Sequence, residues 1–466
     1  MVRTTPTGVR RPSPRELAAA TPATRNRYAD FLRVVSIVVV VIGHWLMAVL
    51  GWEDGSFKGQ NLLELATWSH ILTWVFQVMP IFFIVGGFTN AGSWESAARR
   101  GIGYADWLRT RAARLLRPAL VFVAFWTVLP MLAVAVVLPS GVARTGGREV
   151  ALPIWFLAVY LLTVAAAPPL LAAHRRFGVR LIVFLGAGAV VVDAVRYGFD
   201  LGWVGALNHL FVWLAILELG FLWRDGVLTH RRLVPWAMAI GGLAVLSVLT
   251  TVGSEFYPVS MITLAHAEHS NALPPTIAML ALSVWQCGAM LILQAPANRW
   301  LERSRVWVGV VAANGMLMTF YLWNMTAAVL AAVILLPTGL APQPEPLTTA
   351  WWWLRLGWVA ACAVCLMPFL FAFRWAERPG APARPAHAGW LGIATALAGS
   401  ILASAGMAVI ATAAFPVQGE LVAGPALGVA CLAAGAVLLH VDPISPLRHG
   451  ARTTDRGDPG ESATGR

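Results

Sequence analysis

Runs of about twenty apolar residues, the length of a membrane-spanning helix, follow one another along nearly the whole chain with short polar segments between them. Of the 466 residues, 58% are hydrophobic and only 12% are charged. No soluble core needs so many apolar segments of this length. The sequence therefore predicts an all-α, polytopic integral membrane protein.

Twelve such runs define the predicted membrane spans. They lie near residues 30–50, 68–91, 114–138, 152–172, 179–195, 203–223, 233–252, 273–294, 308–336, 351–373, 389–413 and 421–440. The fifth run is short and gives the weakest signal. We assign residues 26–375, with the first ten spans, to one membrane domain and residues 376–440 to two additional spans.

The positions of the basic residues test this arrangement, because Lys and Arg are enriched in cytoplasmic segments whereas Asp and Glu contribute little. With the amino terminus in the cytoplasm, all but five of the 34 Lys and Arg residues fall on the cytoplasmic side. The exceptions are Lys58, Arg144, Arg148, Arg196 and Arg355. We therefore predict twelve spans with both termini in the cytoplasm. The net charge of +12 follows from this topology and does not indicate nucleic-acid binding.

Both ends of the chain are polar. Residues 1–25 are rich in Arg and Pro and lack an apolar h-region, so they predict a disordered basic cytoplasmic tail rather than a cleavable signal peptide. Residues 441–466 predict a second disordered cytoplasmic tail. The cysteines lie in apolar runs, at Cys287, Cys362, Cys365 and Cys431. We predict neither a disulfide nor a metal site.

The first apolar run carries ionisable residues at helical spacing. Arg33 and His44 are separated by about three turns, so both project from one face of a helix, roughly 16 Å apart along its axis. Asp30 lies one turn before Arg33 on nearly the same face. Because an ionisable group inside a membrane is costly, this pattern favours a functional site around His44. The alternative is a packing histidine that hydrogen bonds to a neighbouring helix.

An arginine-rich segment follows the second run. Its pattern R-x-R-x-x-R-x-x-R-P, at residues 109–118, places Arg111, Arg114 and Arg117 at helical spacing. Arginine forks suit phosphate and pyrophosphate, so we predict that these three residues bind a phosphate-bearing cytoplasmic ligand. The alternative is that they anchor the third span and recruit anionic lipid.

Two further features predict close packing or a polar environment inside the membrane. Pro80 predicts a kink in the second run, and Gly86 and Gly87 allow another backbone to approach closely. Glu218 lies within the sixth run, where a carboxylate should face protein or water rather than lipid. Its partner cannot be identified from the sequence.

Aromatic and polar residues also cluster within two later runs. Trp155 lies where the fourth run opens, in the segment Pro153–Phe156. The ninth run contains a polar and aromatic cluster half-way across, which includes Tyr321 and Asn324.

These motifs, in this order, resemble the membrane-bound acyltransferase family 3. The first helix of that family carries an R-x10-H motif, matched here by Arg33 and His44. Its second helix ends in F-F-x-x-S/G-G-F, matched by Phe82–Phe88. An arginine-rich segment of the form R-x-x-R-x-x-P follows, matched around Arg111–Pro118.

Two later elements complete the resemblance, which covers roughly residues 26–375. A W-F-L element is matched by Trp155–Leu157, and a Y-L-W-H element by Tyr321–Asn324. Asn324 stands where the family usually has histidine, which puts a proton-transfer role for that position in doubt.

The resemblance implies an enzyme of the bacterial plasma membrane that moves an acyl group, expected to be acetyl, from cytoplasmic acyl-coenzyme A to a hydroxyl of a cell-surface glycan, lipid or secondary metabolite. Acyl-coenzyme A would be a substrate, with no tightly bound cofactor. His44 would act as a general base or a transient acyl carrier. Arg33, oriented by Asp30, would bind donor phosphate or stabilise charge at the reacting carbonyl. Substrate binding is assigned to Trp155, Glu218, Tyr321 and Asn324.

Two other functions stay open at this point. Twelve spans with both termini inside is also a common plan for transporters and flippases, although no corresponding pair of interrupted helices is visible in the two halves. The other alternative is a catalytically inactive relative, because Asn324 departs from the family pattern.

Overall fold

The computed structural model describes residues 13–22, 25–132, 147, 149–264, 267–378, 380, 389–413, 415 and 423–445. Most of these residues are helical, as predicted. The helices in chain order are α1 (Pro14–Ala19), α2 (Arg27–Met47), α3 (Leu62–Leu65), α4 (Thr73–Phe76), α5 (Met79–Arg99), α6 (Tyr104–Leu132), α7 (Ile154–Phe177), α8 (Val179–Gly198), α9 (Asn208–Arg224), α10 (Leu233–Thr251), α11 (Ile277–Leu301), α12 (Ser304–Asn314), α13 (Leu317–Leu335), α14 (Thr349–Phe373), α15 (Trp390–Ala413) and α16 (Ala423–Leu438).

Within the described residues, ten helical segments are long and apolar enough to cross a membrane. One of them is the segment Thr67–Arg99, which includes α5. The other nine are α2, α6, α7, α9, α10, α11, α13, α14 and α15. Two other predicted spans fall outside this set: α8, which carries Arg180, Asp193 and Arg196, and α16, which is 16 residues long. A multi-pass membrane protein is therefore supported, and the twelve-span count stays a prediction.

The all-α prediction is wrong at one place, directly after α2. The first predicted run continues to residue 50, but the helix ends at Met47 and the chain forms an antiparallel hairpin of β1 (Ala48–Glu53) and β2 (Ser56–Asn61). The turn between the strands holds Asp54 and Gly55, both at positive φ (49° and 75°). Asp-Gly is a preferred pair for such a two-residue turn, so the sequence carried this signal. We name this end of the bundle the hairpin end and the opposite end, where α2 begins, the Arg33 end.

The second predicted span is broken rather than kinked. A 3₁₀ segment (Thr67–Leu72) and α4 precede α5, and Pro80 lies in the first turn of α5, where proline is tolerated. Gln286 of α11 supports the break, because its side-chain amide donates to the carbonyl oxygens of Trp74 and Gln77, both at 2.9 Å. The prediction of a kink at Pro80 is therefore corrected to a break just before it.

Glycines bring α5 and α9 into backbone contact, which confirms the close approach predicted from Gly86 and Gly87. A Cβ on Gly87 would lie 2.1 Å from the carbonyl oxygen of Leu217, and a Cβ on Gly220 would lie 2.1 Å from that of Ile84. A Cβ on Gly86 would lie 3.0 Å from the ring of Tyr160 in α7. The crossing fixes α5, α7 and α9 as one packed unit beside α2.

The two carboxy-terminal helices also pack through small residues. A Cβ on Gly406 of α15 would lie 2.5 Å from the backbone nitrogen of Leu432 in α16, and a Cβ on Gly435 would lie 2.5 Å from that of Ala403. Small residues favour such close helix pairs in membranes. The pair is attached to the larger bundle, because α15 packs against α6 and α7.

A short helix, α1, lies within the predicted amino-terminal tail. Ser13 caps α1 and Glu16 returns the hydrogen bond, which forms a capping box, with Pro14 in the first turn. The helix packs against α12, and the indole N–H of Trp307 donates to the Thr21 hydroxyl at 3.0 Å. Residues 1–12 lie outside the described part of the chain.

Candidate active site

The site begins with α2, whose apolar middle is rich in Val and Ile. These β-branched residues disfavour helix in water, but in lipid a helix satisfies every backbone group internally. Asn26 starts the helix by accepting a hydrogen bond from the Ala29 nitrogen at 3.0 Å. His44 occupies the last turn, deep among the helices, yet part of its surface stays accessible. A histidine in this position can meet a substrate that enters the bundle.

Asn324 of α13 fixes the tautomer of His44. The imidazole Nδ1 of His44 lies 3.3 Å from Oδ1 of Asn324. The amide nitrogen of Asn324 donates to the carbonyl of Tyr321, so Oδ1 is the amide atom that faces the ring, and this oxygen can only accept. Nδ1 therefore carries the proton, and Nε2 keeps a free lone pair.

Two tryptophans hold the end of α2 that carries His44. The indole N–H of Trp45 donates to the carbonyl oxygen of Asn324, and the indole N–H of Trp358 donates to the carbonyl oxygen of Trp45, each at 3.0 Å. Helices α2, α13 and α14 thus meet at His44. These two hydrogen-bonded indoles restrict the position of the imidazole.

Tyr321 and Trp155 lie in elements that contact each other. The hydroxyl of Tyr321 donates to the carbonyl oxygen of Pro153 at 2.9 Å, and its ring packs edge-on against Phe156 with the centroids 5.6 Å apart. Trp155 is half-buried in the first turn of α7. The two motifs that contain them are therefore packed together, and their assignment to substrate binding stays a prediction.

Arg33 faces a carboxylate that was not singled out from the sequence. Glu377, in the 3₁₀ turn after α14, accepts hydrogen bonds from the backbone nitrogens of Met318 and Thr319 at 3.1 and 2.7 Å. It thereby caps the start of α13, the helix that carries Asn324. Arg33 lies close enough to Glu377 and to Arg111 to interact electrostatically with both.

Asp30, which was expected to orient Arg33, forms its ion pair with a different arginine, and its effect on Arg33 stays a prediction. The carboxylate of Asp30 is buried and forms an ion pair with Nε of Arg25 at 2.6 Å. The backbone carbonyl of Asp30 also accepts from the side chain of Asn314 at 3.2 Å. Asp30 thus fastens the start of α2 to the preceding segment and to α12, while Glu377 is the acidic neighbour of Arg33.

The arginines of α6 differ in their burial and in their neighbours. Arg111 is half-buried, its guanidinium approaches the carbonyl oxygen of Thr89 at 3.5 Å, and it interacts electrostatically with Arg33 and Arg114. Arg114 is exposed. Arg117 is buried beside Asp442, which follows α16. The structure therefore brings Arg111 near Arg33 and places Arg117 against the carboxy-terminal segment, while Arg114 interacts electrostatically with both Arg111 and Arg117.

Glu218 belongs to a second buried polar cluster, away from His44 and near the Arg33 end. Its Oε1 is hydrogen bonded to Nδ1 of His174 in α7, and the other ring nitrogen lies 3.0 Å from a carboxylate oxygen of Asp225. Glu95 of α5 adds ion pairs to Arg175 and Arg224 at 2.8 and 2.9 Å. The cluster ties α5, α7 and α9 together. The substrate role assigned to Glu218 stays a prediction.

Sequence reasoning missed His174 and Glu377 as members of polar clusters. His174 precedes Arg175 and Arg176, which were considered only as part of the topology signal, and His174 itself was not considered. Its spacing from Glu218 in the chain gives no local pattern. In the described part of the chain, no group of three or more His, Cys, Asp or Glu residues is arranged to hold a metal ion.

Comparison with known proteins gives one match. The model of the acyltransferase domain family matches residues 26–373, which include α2, the arginine segment of α6, the Trp155 element and Asn324. No curated protein and no solved structure matches the chain.

Proposed function

This chain belongs to the membrane acyltransferase domain family, and on that premise we propose that it transfers an acyl group, acetyl in the first instance, from cytoplasmic acyl-coenzyme A to a hydroxyl of a cell-surface glycan, lipid or secondary metabolite. The observation that carries the proposal is a partly accessible His44, whose Nδ1 is oriented by Asn324, on the same face of α2 as Arg33, which in turn lies near Arg111. A base and a phosphate-binding group on one face are what this transfer needs.

His44 acts as the general base in this proposal. Its Nε2 takes the proton of the acceptor hydroxyl while the hydroxyl oxygen attacks the thioester carbonyl. When the tetrahedral intermediate collapses, the carbon–sulfur bond breaks and the coenzyme A sulfur leaves with the proton held by the imidazolium. The oxygen of Asn324 accepts from Nδ1–H throughout, so the ring keeps its orientation. In the alternative, in which His44 carries the acyl group transiently, the same Nε2 is the nucleophile.

Arg33, Arg111 and Arg114 serve the donor in this proposal. Guanidinium groups form paired hydrogen bonds with phosphate, and coenzyme A carries several phosphate oxygens. Arg33 lies near Arg111 and about three turns of α2 from His44, so it serves the phosphates of the donor rather than the thioester oxygen. The carboxylate of Glu377 lies near Arg33 when no donor is bound. It lowers the free-energy cost of burying the Arg33 guanidinium among the helices.

Replacing Arg111 with Ala should raise the Kd for coenzyme A by roughly tenfold or more, because a charge-assisted hydrogen bond is lost. The measurement is equilibrium binding of coenzyme A to the purified protein at several salt concentrations, and the variant should also show a weaker salt dependence. Arg100→Ala is the matched control, since Arg100 is exposed and its side chain bonds to Ser96 one turn earlier.

Unchanged coenzyme A binding in Arg111→Ala and Arg114→Ala would contradict a role in donor binding. It would indicate that these arginines only set the topology or contact lipid. A wild-type protein that binds no coenzyme A would favour a transporter or an inactive relative. If the protein does bind coenzyme A, mass spectrometry of surface glycans and lipids from cells with and without it would identify the acceptor. The acceptor is the compound that loses an acyl mass when the protein is absent.

The proposed orientation has both termini in the cytoplasm of a bacterium and the hairpin end outside its plasma membrane. Single cysteines at Ser56 and Ser254, both exposed, should react in intact cells with a membrane-impermeant maleimide. A cysteine at the exposed Ser304 should react only after the membrane is permeabilised. The four native cysteines are replaced first to remove background labelling. Labelling at Ser304 in intact cells would contradict the orientation.

A further inference from the structure

A buried arginine with unsatisfied donors lies at the hairpin end of α14. Arg355 is only 7% exposed, and its Nε and Nη2 atoms are buried without a hydrogen-bond partner among the described residues. None of the ion pairs found in that part of the chain includes it. Its guanidinium lies over the ring of Trp351, 4.1 Å from the centroid. A ring can balance part of the charge but cannot accept the in-plane N–H bonds.

The neighbours of Arg355 along α14 show where these donors lie. One turn toward the Arg33 end, Trp358 bonds to the carbonyl of Trp45, the residue that follows His44. One turn toward the hairpin end, Trp351 packs with Val49 of β1. Arg355 therefore lies between the hairpin and the His44 end of α2, on the buried face of α14.

The hairpin is attached to the segment that precedes α14. Gln343, in the segment before α14, accepts from the backbone nitrogen of Trp52 at 2.6 Å, which fixes β1 to that segment. Leu62 and Ala66, which follow the hairpin, complete the apolar cluster around Trp351. The ring over which the guanidinium lies is thus itself packed among apolar side chains. A buried cation in such surroundings is costly unless an anion joins it.

We propose that Arg355 binds an anionic group of the acceptor, a carboxylate or a phosphate, and so holds an acceptor hydroxyl near His44. This inference rests on the proposed function and narrows its acceptor class to hydroxyl compounds that carry an acidic group. The planar fork of Arg355 suits either oxyanion. The acceptor reaches His44 from the hairpin end while the donor phosphates bind at the Arg33 end, so the two substrates meet at the imidazole.

The test compares octyl β-D-glucuronide with octyl β-D-glucoside, which lacks the carboxylate, as ligands of the purified protein in phosphatidylcholine nanodiscs. Wild-type protein should bind the glucuronide roughly ten- to a hundredfold more tightly, as expected for charge-assisted hydrogen bonds. Arg355→Gln should abolish that preference, and Arg355→Lys should keep part of it. Equal binding of the two glycosides by wild type, or an unchanged preference in Arg355→Gln, would overturn the proposal.

Two controls accompany this test. The first shows whether the preference for the glucuronide depends on Arg355, and the second shows whether the bound anion is an acceptor or a bilayer lipid. Arg196→Gln should keep the preference, since Arg196 also lies over an aromatic ring, that of Tyr197, but has Asp193 as an electrostatic neighbour. If phosphatidylglycerol added to the discs displaces the glucuronide only when Arg355 is present, the anion is a bilayer lipid and the acceptor assignment is wrong. Coenzyme A binding is measured on the same discs. Absence of coenzyme A binding together with a preserved glucuronide preference would contradict the proposed donor but not the anion site at Arg355.

Discussion

Replacing His44 with Gln should reduce acyl transfer by about 10²–10⁴-fold, the contribution expected of a positioned general base. Glutamine keeps much of the size of histidine and can still bond to Asn324, but it cannot take the hydroxyl proton. The measurement is the initial rate of incorporation from radiolabelled acetyl-coenzyme A into washed membranes, which contain the natural acceptor. The wild-type rate should also rise with pH as the imidazole loses its proton, because only the neutral ring can act as the base.

The His44→Gln result needs a histidine control and a donor control. His209→Gln should leave the rate unchanged, because the hydrogen bond of His209 goes to the carbonyl of Ala206, three residues earlier in the chain, and not to Asn324 or another residue of the candidate site. Coenzyme A binding and protein level should match wild type in both variants. If His44→Gln kept most of its activity, His44 would be a structural hydrogen-bonding residue and another group would have to activate the hydroxyl.

The second large effect is expected on stability, in the cluster around Glu218. Replacing His174 with Leu leaves the fully buried Glu218 without its partner, which should cost about 3–5 kcal/mol of the free energy of unfolding. The loss should lie near the lower limit, because Glu218 can take up a proton and become neutral. Unfolding in mixed micelles, followed by tryptophan fluorescence, measures the difference.

A double variant makes this stability prediction specific. Since a buried ion pair can often be exchanged for apolar residues of similar volume without loss, His174→Leu combined with Glu218→Met should recover most of the stability. Asp225 is about half exposed and can remain solvated. A double variant no more stable than His174→Leu alone would show that packing, rather than the unpaired carboxylate, sets the cost.

The sequence was most informative where the pattern is local. Helical spacing predicted that Arg33 and His44 share a face of α2, and glycines in the second run predicted the backbone contact between α5 and α9. The hairpin after α2 was missed although Asp54-Gly55 is a strong turn signal, because the apolar run continued past Met47 into β1. Hydropathy alone does not distinguish the last turn of a helix from an apolar strand.

The partners of the buried charges could not be predicted, because most of them come from distant parts of the chain. Asp30 pairs with Arg25 in the segment just before α2, whereas Arg33 meets Glu377 and Arg111 from other segments. Likewise Glu218 finds His174 on α7. Periodicity determines which face of its own helix a residue occupies. Only the packing of the helices determines which residues of other helices lie against that face.

The position of Glu377 has a consequence for how this protein is divided into modules. The family match ends at residue 373, and Glu377 lies just beyond it, yet it caps the helix of Asn324 and approaches Arg33. Arg109, fully buried against Thr395 of α15, shows the same dependence on later residues. A fragment cut at the family boundary would thus lose a carboxylate of the candidate active site and expose an arginine that is buried in the whole protein. In this protein the residues that match the family and the residues that the candidate site needs therefore end at different positions.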